Sequence, residues 1–144
     1  MRGCEPGTFN SALLAGGWNL LTQAGLPCFQ ECERLGVEVH VAGVFGSGLL
    51  VSKAGTYAYR EAPAAMVEKA QQWQALADKF GRSLPSVAIA FAALPKCVSK
   101  VVIGMATPKQ VSETMAWVEE SSRVPLALWA EAKSLGLLDE TVPV

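Results

Sequence analysis

The chain has 144 residues, of which 51% are hydrophobic and 17% charged, and its net charge at pH 7 is −1. This length fits one domain, and the scattered Lys and Arg residues argue against a nucleic-acid partner. Two stretches carry no charge, residues 6–30 and 39–52, but glycine and polar residues interrupt both, so neither is predicted to span a membrane. The amino terminus lacks the pattern of a secretory signal, so we expect a cytoplasmic protein.

Strands and helices are predicted to alternate along the chain, which indicates an α/β fold with parallel βαβ units. Apolar runs predict strands at Ser11–Gly17, Val37–Val44 and Lys100–Ile103. Helical spacing, proline starts and glycine ends predict helices at Pro27–Leu35, Ala64–Phe80, Leu84–Leu94, Pro108–Glu120 and Pro125–Leu135. The low proportion of charged residues has two interpretations. Either the strands are buried on both faces, or the chain has an apolar surface that a partner or the rest of a larger domain covers.

Two loops follow predicted strands and could hold a phosphate. In Gly43–Leu50, Gly46 and Gly48 flank Ser47, so backbone amides could approach a pyrophosphate closely. In Gly104–Pro108, Thr107 is suited to cap the following helix, whose amino-terminal N–H groups favour anions. A pair of tight turns that bind no ligand is the alternative interpretation.

Side chains that could catalyse a reaction are few and not grouped by sequence. The candidates are His40, Lys53, Tyr57, Tyr59 and Asp78, and no nucleophile–base or paired-carboxylate pattern joins them. Cys28 and Cys32 are four residues apart and could form half of a metal site or a redox pair. Further metal ligands are lacking, so reduced, partly buried thiols and no metal are the better prediction.

Three segments resemble the carboxyl-terminal part of an aldo-keto reductase, most closely the branch of D-threo-aldose 1-dehydrogenases. They are LAGGWNLL (Leu14–Leu21), VHVAGVFGSGLL (Val39–Leu50) and VVIGMATPKQVSET (Val101–Thr114), and Tyr59–Pro63 and Leu128–Leu138 add to the likeness. The resemblance covers nearly the whole chain and implies a single partial domain, about three strands of a (β/α)8 TIM barrel with their flanking helices. In the complete protein it implies an oxidoreductase that acts on an aldose or aldehyde with NAD or NADP.

The resemblance also implies which residues bind the cofactor. Phe45, Gly46, Ser47, Gly48 and Leu49 correspond to the pyrophosphate loop, while Gly104, Met105 and Ala106 correspond to the adenosine ribose, and Gln110, Glu113 and Thr114 to the adenine end. Many NADP-dependent members have lysine, arginine and asparagine in place of Gly104, Gln110 and Thr114. Without that Lys–Arg pair a 2′-phosphate lacks its charged partners, so NAD is the expected cofactor.

The resemblance implies that the family's catalytic Asp, Tyr, Lys and His precede the segment that begins at Leu14. We therefore expect no catalytic residue among these 144 residues, and no activity from the chain alone. The alternative is a non-catalytic half-barrel that binds nucleotide weakly or associates with another chain. Open strand edges would also favour self-association.

Overall fold

In a computed structural model, the described residues, 7–52 and 60–144, form three strands and five helices in the predicted alternation. The strands are β1 (Ser11–Ala15), β2 (Glu38–Ala42) and β3 (Val98–Val102). The helices are α1 (Leu26–Leu35), α2 (Ala64–Lys79), α3 (Leu84–Ala92), α4 (Pro108–Ser121) and α5 (Leu126–Ser134). Lys53, Tyr57 and Tyr59 lie outside the described residues, so their predicted roles stay predictions. None of the helices in the described ranges is long and apolar enough to cross a membrane.

The three strands form one parallel sheet in the order β1-β2-β3, which confirms the prediction of βαβ units. Leu13 lies opposite His40 and Leu14 opposite Val41 in the first pair of strands, and Val41 lies opposite Val101 in the second. Because the strands are parallel, their carboxyl ends all lie at one edge of the sheet, where α/β proteins bind ligands.

Within residues 7–52 and 60–144, helices cover one face of the sheet. Val39 and Val41 are fully buried on that face, beside the half-buried Leu14 and Val101. On the opposite face Leu13 is 64% exposed, and Val102 is 46% exposed. Of the two interpretations of the low charge, burial of the strands on both faces is therefore wrong. Alternation in β1 and β3 places half of their apolar side chains on the uncovered face.

The covered face packs on an aromatic core. The Trp18 indole stacks on Phe91 with ring centroids 4.6 Å apart and meets the edge of Phe29 at 4.9 Å. The indole N–H of Trp18 donates to the Phe91 carbonyl, and that of Trp73 donates to the Leu20 carbonyl at 2.9 Å. The core therefore buries large rings without leaving their polar atoms unpaired, and it anchors the segment after β1.

Several element ends differ from the prediction for local reasons. β1 stops at Ala15 because Gly16 adopts a positive φ of 80°. β3 begins at Val98 instead of Lys100, since the Val39 N–H already pairs with the Cys97 carbonyl, and it ends at Val102. Ser83 lies directly before α3, but its side chain does not cap that helix. Instead the Glu120 carboxylate of α4 accepts hydrogen bonds from both the N–H and the hydroxyl of Ser83.

Candidate cofactor-binding edge

The candidate site is the carboxyl edge of the sheet, where a loop follows each strand. The segment 16–25 follows β1, the segment 43–52 follows β2, and the segment 103–107 joins β3 to α4. Both loops that the sequence singles out belong to this edge, and they leave neighbouring strands. The topology therefore brings the two predicted halves of the site to the same end of the sheet.

The loop after β2 has an unusual backbone. Gly46, Ser47 and Gly48 have positive φ angles of 54°, 58° and 99°, and Ser47 is the non-glycine residue with positive φ in the described ranges. A Cβ on Gly46 would also come within 2.8 Å of the Leu21 side chain. Glycine is needed at position 46 for both reasons, and the left-handed Ser47 is held there by its neighbours at a cost in strain.

Most amides that we resolve in this loop bond within the loop itself. The Gly48 and Leu50 N–H groups both donate to the Phe45 carbonyl, at 3.0 and 3.2 Å, and the Leu49 N–H donates to the Gly46 carbonyl at 3.4 Å. Gly46 and Leu49 are buried, whereas Phe45, Ser47 and Gly48 keep accessible surface. Of the five residues predicted to meet a pyrophosphate, these three are the ones that solvent reaches.

Asn19 holds the loop after β2 in place. Its side-chain N–H donates to the Gly43 carbonyl at 3.2 Å, while its Oδ1 accepts from the Leu21 N–H at 2.9 Å and from the Thr22 N–H at 3.2 Å. Asn19 is 1% exposed. One buried amide thus closes its own turn and ties the loops after β1 and β2 together, a use of asparagine that local turn chemistry favours.

Phe45 joins the loop after β2 to helix α4. Its ring meets the edge of Trp117, with centroids 5.8 Å apart and planes at 82°. Such edge-to-face pairs contribute beyond the apolar area they bury. The contact connects the predicted pyrophosphate loop to the helix that carries the predicted adenine end.

The loop after β3 closes on itself through Gln110. The Gln110 side-chain oxygen accepts from the N–H groups of Ala106, at 2.7 Å, and Thr107, at 3.1 Å. In return the Thr107 hydroxyl accepts from the Gln110 N–H at 3.2 Å. This is a complete capping box, so the predicted Thr107 cap is confirmed. The Gln110 side chain, which is predicted to lie near the adenine, therefore accepts hydrogen bonds from the N–H groups that precede α4.

The remaining residues of this half of the site differ in exposure. Gly104, Met105, Ala106 and Gln110 are exposed, and Glu113 is half-buried with Lys109 at 3.7 Å. Thr114 is only 5% exposed, so its side chain has little surface to offer a ligand. Four residues of the predicted adenosine half thus form an open surface beside the capped start of α4.

The other candidate side chains do not join this edge. His40 lies mid-strand in β2, between Leu13 and Lys100 of the neighbouring strands, and is half-buried on the open face of the sheet. Asp78 lies on the exposed side of α2 and accepts a hydrogen bond from Gln74. Neither is placed beside the loops after β2 and β3.

Cys32 and Cys97 have the properties of structural thiols. Cys32 is fully buried, and burial, followed by the neighbouring Cys28, raises the pKa of its thiol to about 12. Burial also raises the pKa of Cys97, together with the nearby carboxylate of Glu33. Thiols held in the protonated form are poor nucleophiles and poor ligands. Across residues 7–52 and 60–144 no group of three or more potential ligands is arranged to hold a metal ion.

Two residues that contribute to this edge, Lys69 and Trp117, were not predicted from the sequence. Lys69 donates to the Leu21 carbonyl at 3.3 Å, and burial lowers its pKa.

A cavity of about 520 Å³ lies between the segment Leu49–Ser52 and α2, and no residue of the Gly104–Thr107 segment lines it. Asn19 could have been singled out, because asparagine after a glycine pair often bonds to its own turn.

Comparison with known proteins agrees with this architecture. The sequence profile of the Aldo/keto reductase family matches residues 7–123. Pyridoxal 4-dehydrogenase of Microbacterium luteolum is 29% identical over 138 residues, which cover 93% of this chain and 40% of that protein. D-threo-aldose 1-dehydrogenase of a Pseudomonas species is 28% identical over 131 residues, which cover 88% of this chain and 39% of that protein. The chain thus spans about two fifths of the length of these relatives.

Proposed function

Because the chain belongs to the Aldo/keto reductase family of oxidoreductases, we propose that its carboxyl edge binds the dinucleotide of an NAD-dependent dehydrogenase. Both relatives are named as dehydrogenases, one of pyridoxal and one of an aldose. A small aldehyde or sugar is accordingly the proposed substrate class of the complete enzyme. When bound, the nicotinamide would exchange a hydride with the substrate carbon, and the protein would supply binding and orientation.

The observation that carries this proposal is the pairing of the two loops at one edge. The loop at residues 45–49 has the left-handed, glycine-rich backbone that allows close approach of a phosphate. The Phe45–Trp117 contact links this loop to α4, whose start forms the adjoining surface. An extended dinucleotide needs two such neighbouring surfaces, one for the pyrophosphate and one for the adenosine.

The capping box favours NAD over NADP. The amides of Ala106 and Thr107 already donate to Gln110, so a 2′-phosphate would have to displace that oxygen to reach them. Lys109 faces Glu113 at 3.7 Å, which offsets its charge. The 2′-hydroxyl of NAD needs no cation. The negative charge of the 2′-phosphate of NADP would be poorly compensated where it meets neither free N–H groups nor a free cation. These contacts support the NAD preference.

The ionisable side chains of the described edge do not form an acid–base set. Lys69 donates to the Leu21 carbonyl, and at the start of α4 Lys109 and Glu113 face each other. We therefore propose that the 144 residues bind the cofactor without turning over an aldehyde. NADH formation from NAD with pyridoxal or an aldose, measured on the purified chain at 340 nm, should not exceed the rate without protein, and turnover would refute this part.

The cofactor preference is tested by titrating the chain with NAD and with NADP, following tryptophan fluorescence. We expect tighter binding of NAD. Gln110→Arg removes the capping oxygen and adds a cation, so NADP binding should strengthen by roughly 10- to 150-fold, as about 1.5–3 kcal/mol for a charged hydrogen bond implies. Gln72→Arg, the same change at an exposed position of α2, is the matched control. Tighter NADP binding by the unmodified chain, or equal shifts in both variants, would contradict the proposal.

A further inference from the structure

The turns of the loop after β2 are built on the backbone of Phe45. The Phe45 carbonyl accepts hydrogen bonds from the N–H groups of Gly48 and Leu50. The Gly48 carbonyl then accepts from the N–H groups of Val51 and Ser52, each at 3.0 Å. The conformation of the whole loop therefore depends on where Phe45 lies.

This loop needs support because its backbone is strained. Ser47 has a φ of 58° between two glycines, and a left-handed residue with a side chain persists only where its surroundings hold it. On the side of β1, Asn19 holds the Gly43 carbonyl, two residues before Phe45. On the side of α4, the Phe45 ring meets the Trp117 ring. Asn19 thus fixes the entry to the loop, and Trp117 contacts the residue on which its turns are built.

Helix α4 holds Trp117 at a fixed position. Thr114, one turn earlier, is 5% exposed, so this part of the helix is packed. Glu120, three residues later, accepts hydrogen bonds from the N–H and the hydroxyl of Ser83 at the start of α3. At the other end of α4, the capping box fixes the helix start beside residues 104–107. Trp117 therefore joins a well-anchored helix, which borders the proposed adenosine surface, to the loop after β2.

We infer that Trp117 is a positioning residue, whose ring holds Phe45 and so keeps the loop at residues 45–49 in the conformation that receives a diphosphate. This inference rests on the proposed function and adds to it a coupling between the two halves of the site. A ligand that spans both halves gains from a loop that is ordered in advance, whereas a ligand that meets only the start of α4 does not. The stabilisation from an edge-to-face pair corresponds to a roughly 2- to 10-fold change in affinity.

ADP and adenosine are the probes for this coupling, because ADP adds a diphosphate to the same adenosine. Titration calorimetry measures both, since its signal does not depend on the tryptophan that is replaced. Trp117→Leu should weaken ADP binding by roughly 2- to 10-fold and leave adenosine binding unchanged. Trp117→Phe keeps an aromatic edge and should retain most of the ADP affinity. Val118→Ala truncates the next side chain of α4, which is 42% exposed, and is the matched control that should change neither affinity.

The possible outcomes separate the inference from the proposed function. Equal weakening of ADP and adenosine would make Trp117 a purely structural residue and overturn the inference, and so would unchanged ADP binding by Trp117→Leu. Failure of the unmodified chain to bind ADP would refute the proposed function and the inference with it. A cycle with Phe45→Leu identifies the contact, because the double variant should lose no more ADP affinity than the weaker single variant. Additive losses would contradict the inference.

Hydrogen exchange of the ligand-free chain tests the same coupling without a cofactor. Trp117→Leu should speed amide exchange at Gly48 and Leu50, which donate to the Phe45 carbonyl. The capped amides at residues 106–107 should exchange as in the unmodified chain. Unchanged exchange at Gly48 and Leu50 would overturn the inference even where ADP binds.

Discussion

Replacing Asn19 by alanine tests how the carboxyl edge is held together. Of the three groups that bond to its side chain, two keep another partner, because Thr22 N–H also donates to the Asn19 carbonyl and Gly43 carbonyl also accepts from Gly46 N–H. The Leu21 N–H has Asn19 Oδ1 as its partner, and Leu21 is 2% exposed. One buried amide left unpaired costs about 1–3 kcal/mol, so Asn19→Ala should destabilise the chain by about 2 kcal/mol.

Urea unfolding followed by tryptophan fluorescence measures this loss, because the buried Trp18 lies next to Asn19. The matched control is Asn10→Ala, which truncates an exposed asparagine just before β1 and should change stability by less than about 0.5 kcal/mol. Equal unfolding midpoints for the two variants would refute the view that Asn19 fixes the loops after β1 and β2.

Two further predictions concern titratable groups. Burial acts to raise the pKa of Glu120, but hydrogen bonds from Ser83 and Ser86 outweigh it and hold the pKa below its ordinary value of 4.5. Stability from Glu120 is therefore present above pH 4.5 and is lost as the pH falls below it. Glu120→Gln should flatten the pH dependence of the urea midpoint in that acidic range, and an unchanged slope would contradict the sign. Because Cys32 is buried with a raised pKa, iodoacetamide at pH 8 should alkylate the half-buried Cys28 before Cys32, and Cys32 only on unfolding. Alkylation of Cys32 in the folded chain at the rate of Cys28 would refute its assignment as an inert thiol.

The order of elements could be predicted because each depends on local patterns. Alternation in Val37–Val41 predicts β2, and the Thr107–Pro108 pair predicts the start of α4. The covering of the sheet could not be predicted in the same way. Leu13 and Leu14 are equally apolar, and only the placement of the helices decides that one is exposed and the other half-buried.

The contacts that shape the candidate site join residues far apart in sequence, so local patterns carry no trace of them. Asn19 reaches Gly43 across 24 positions, and Phe45 meets Trp117 from a different helix. The resemblance to the family named the exposed residues of both loops. It did not indicate that the side-chain oxygen of Gln110 accepts the hydrogen bonds of the capping box. The proposed binding of the cofactor would depend on such contacts.

Hydrogen exchange with and without NAD tests the proposed cofactor edge most directly. NAD should slow amide exchange in two separated segments, residues 45–49 and 104–107, because both would lie against one extended ligand. Residues 36–38, at the amino-terminal end of the same sheet, should exchange unchanged. Slowed exchange at residues 36–38, or no change in either loop at saturating NAD, would contradict the assignment of this edge to the dinucleotide.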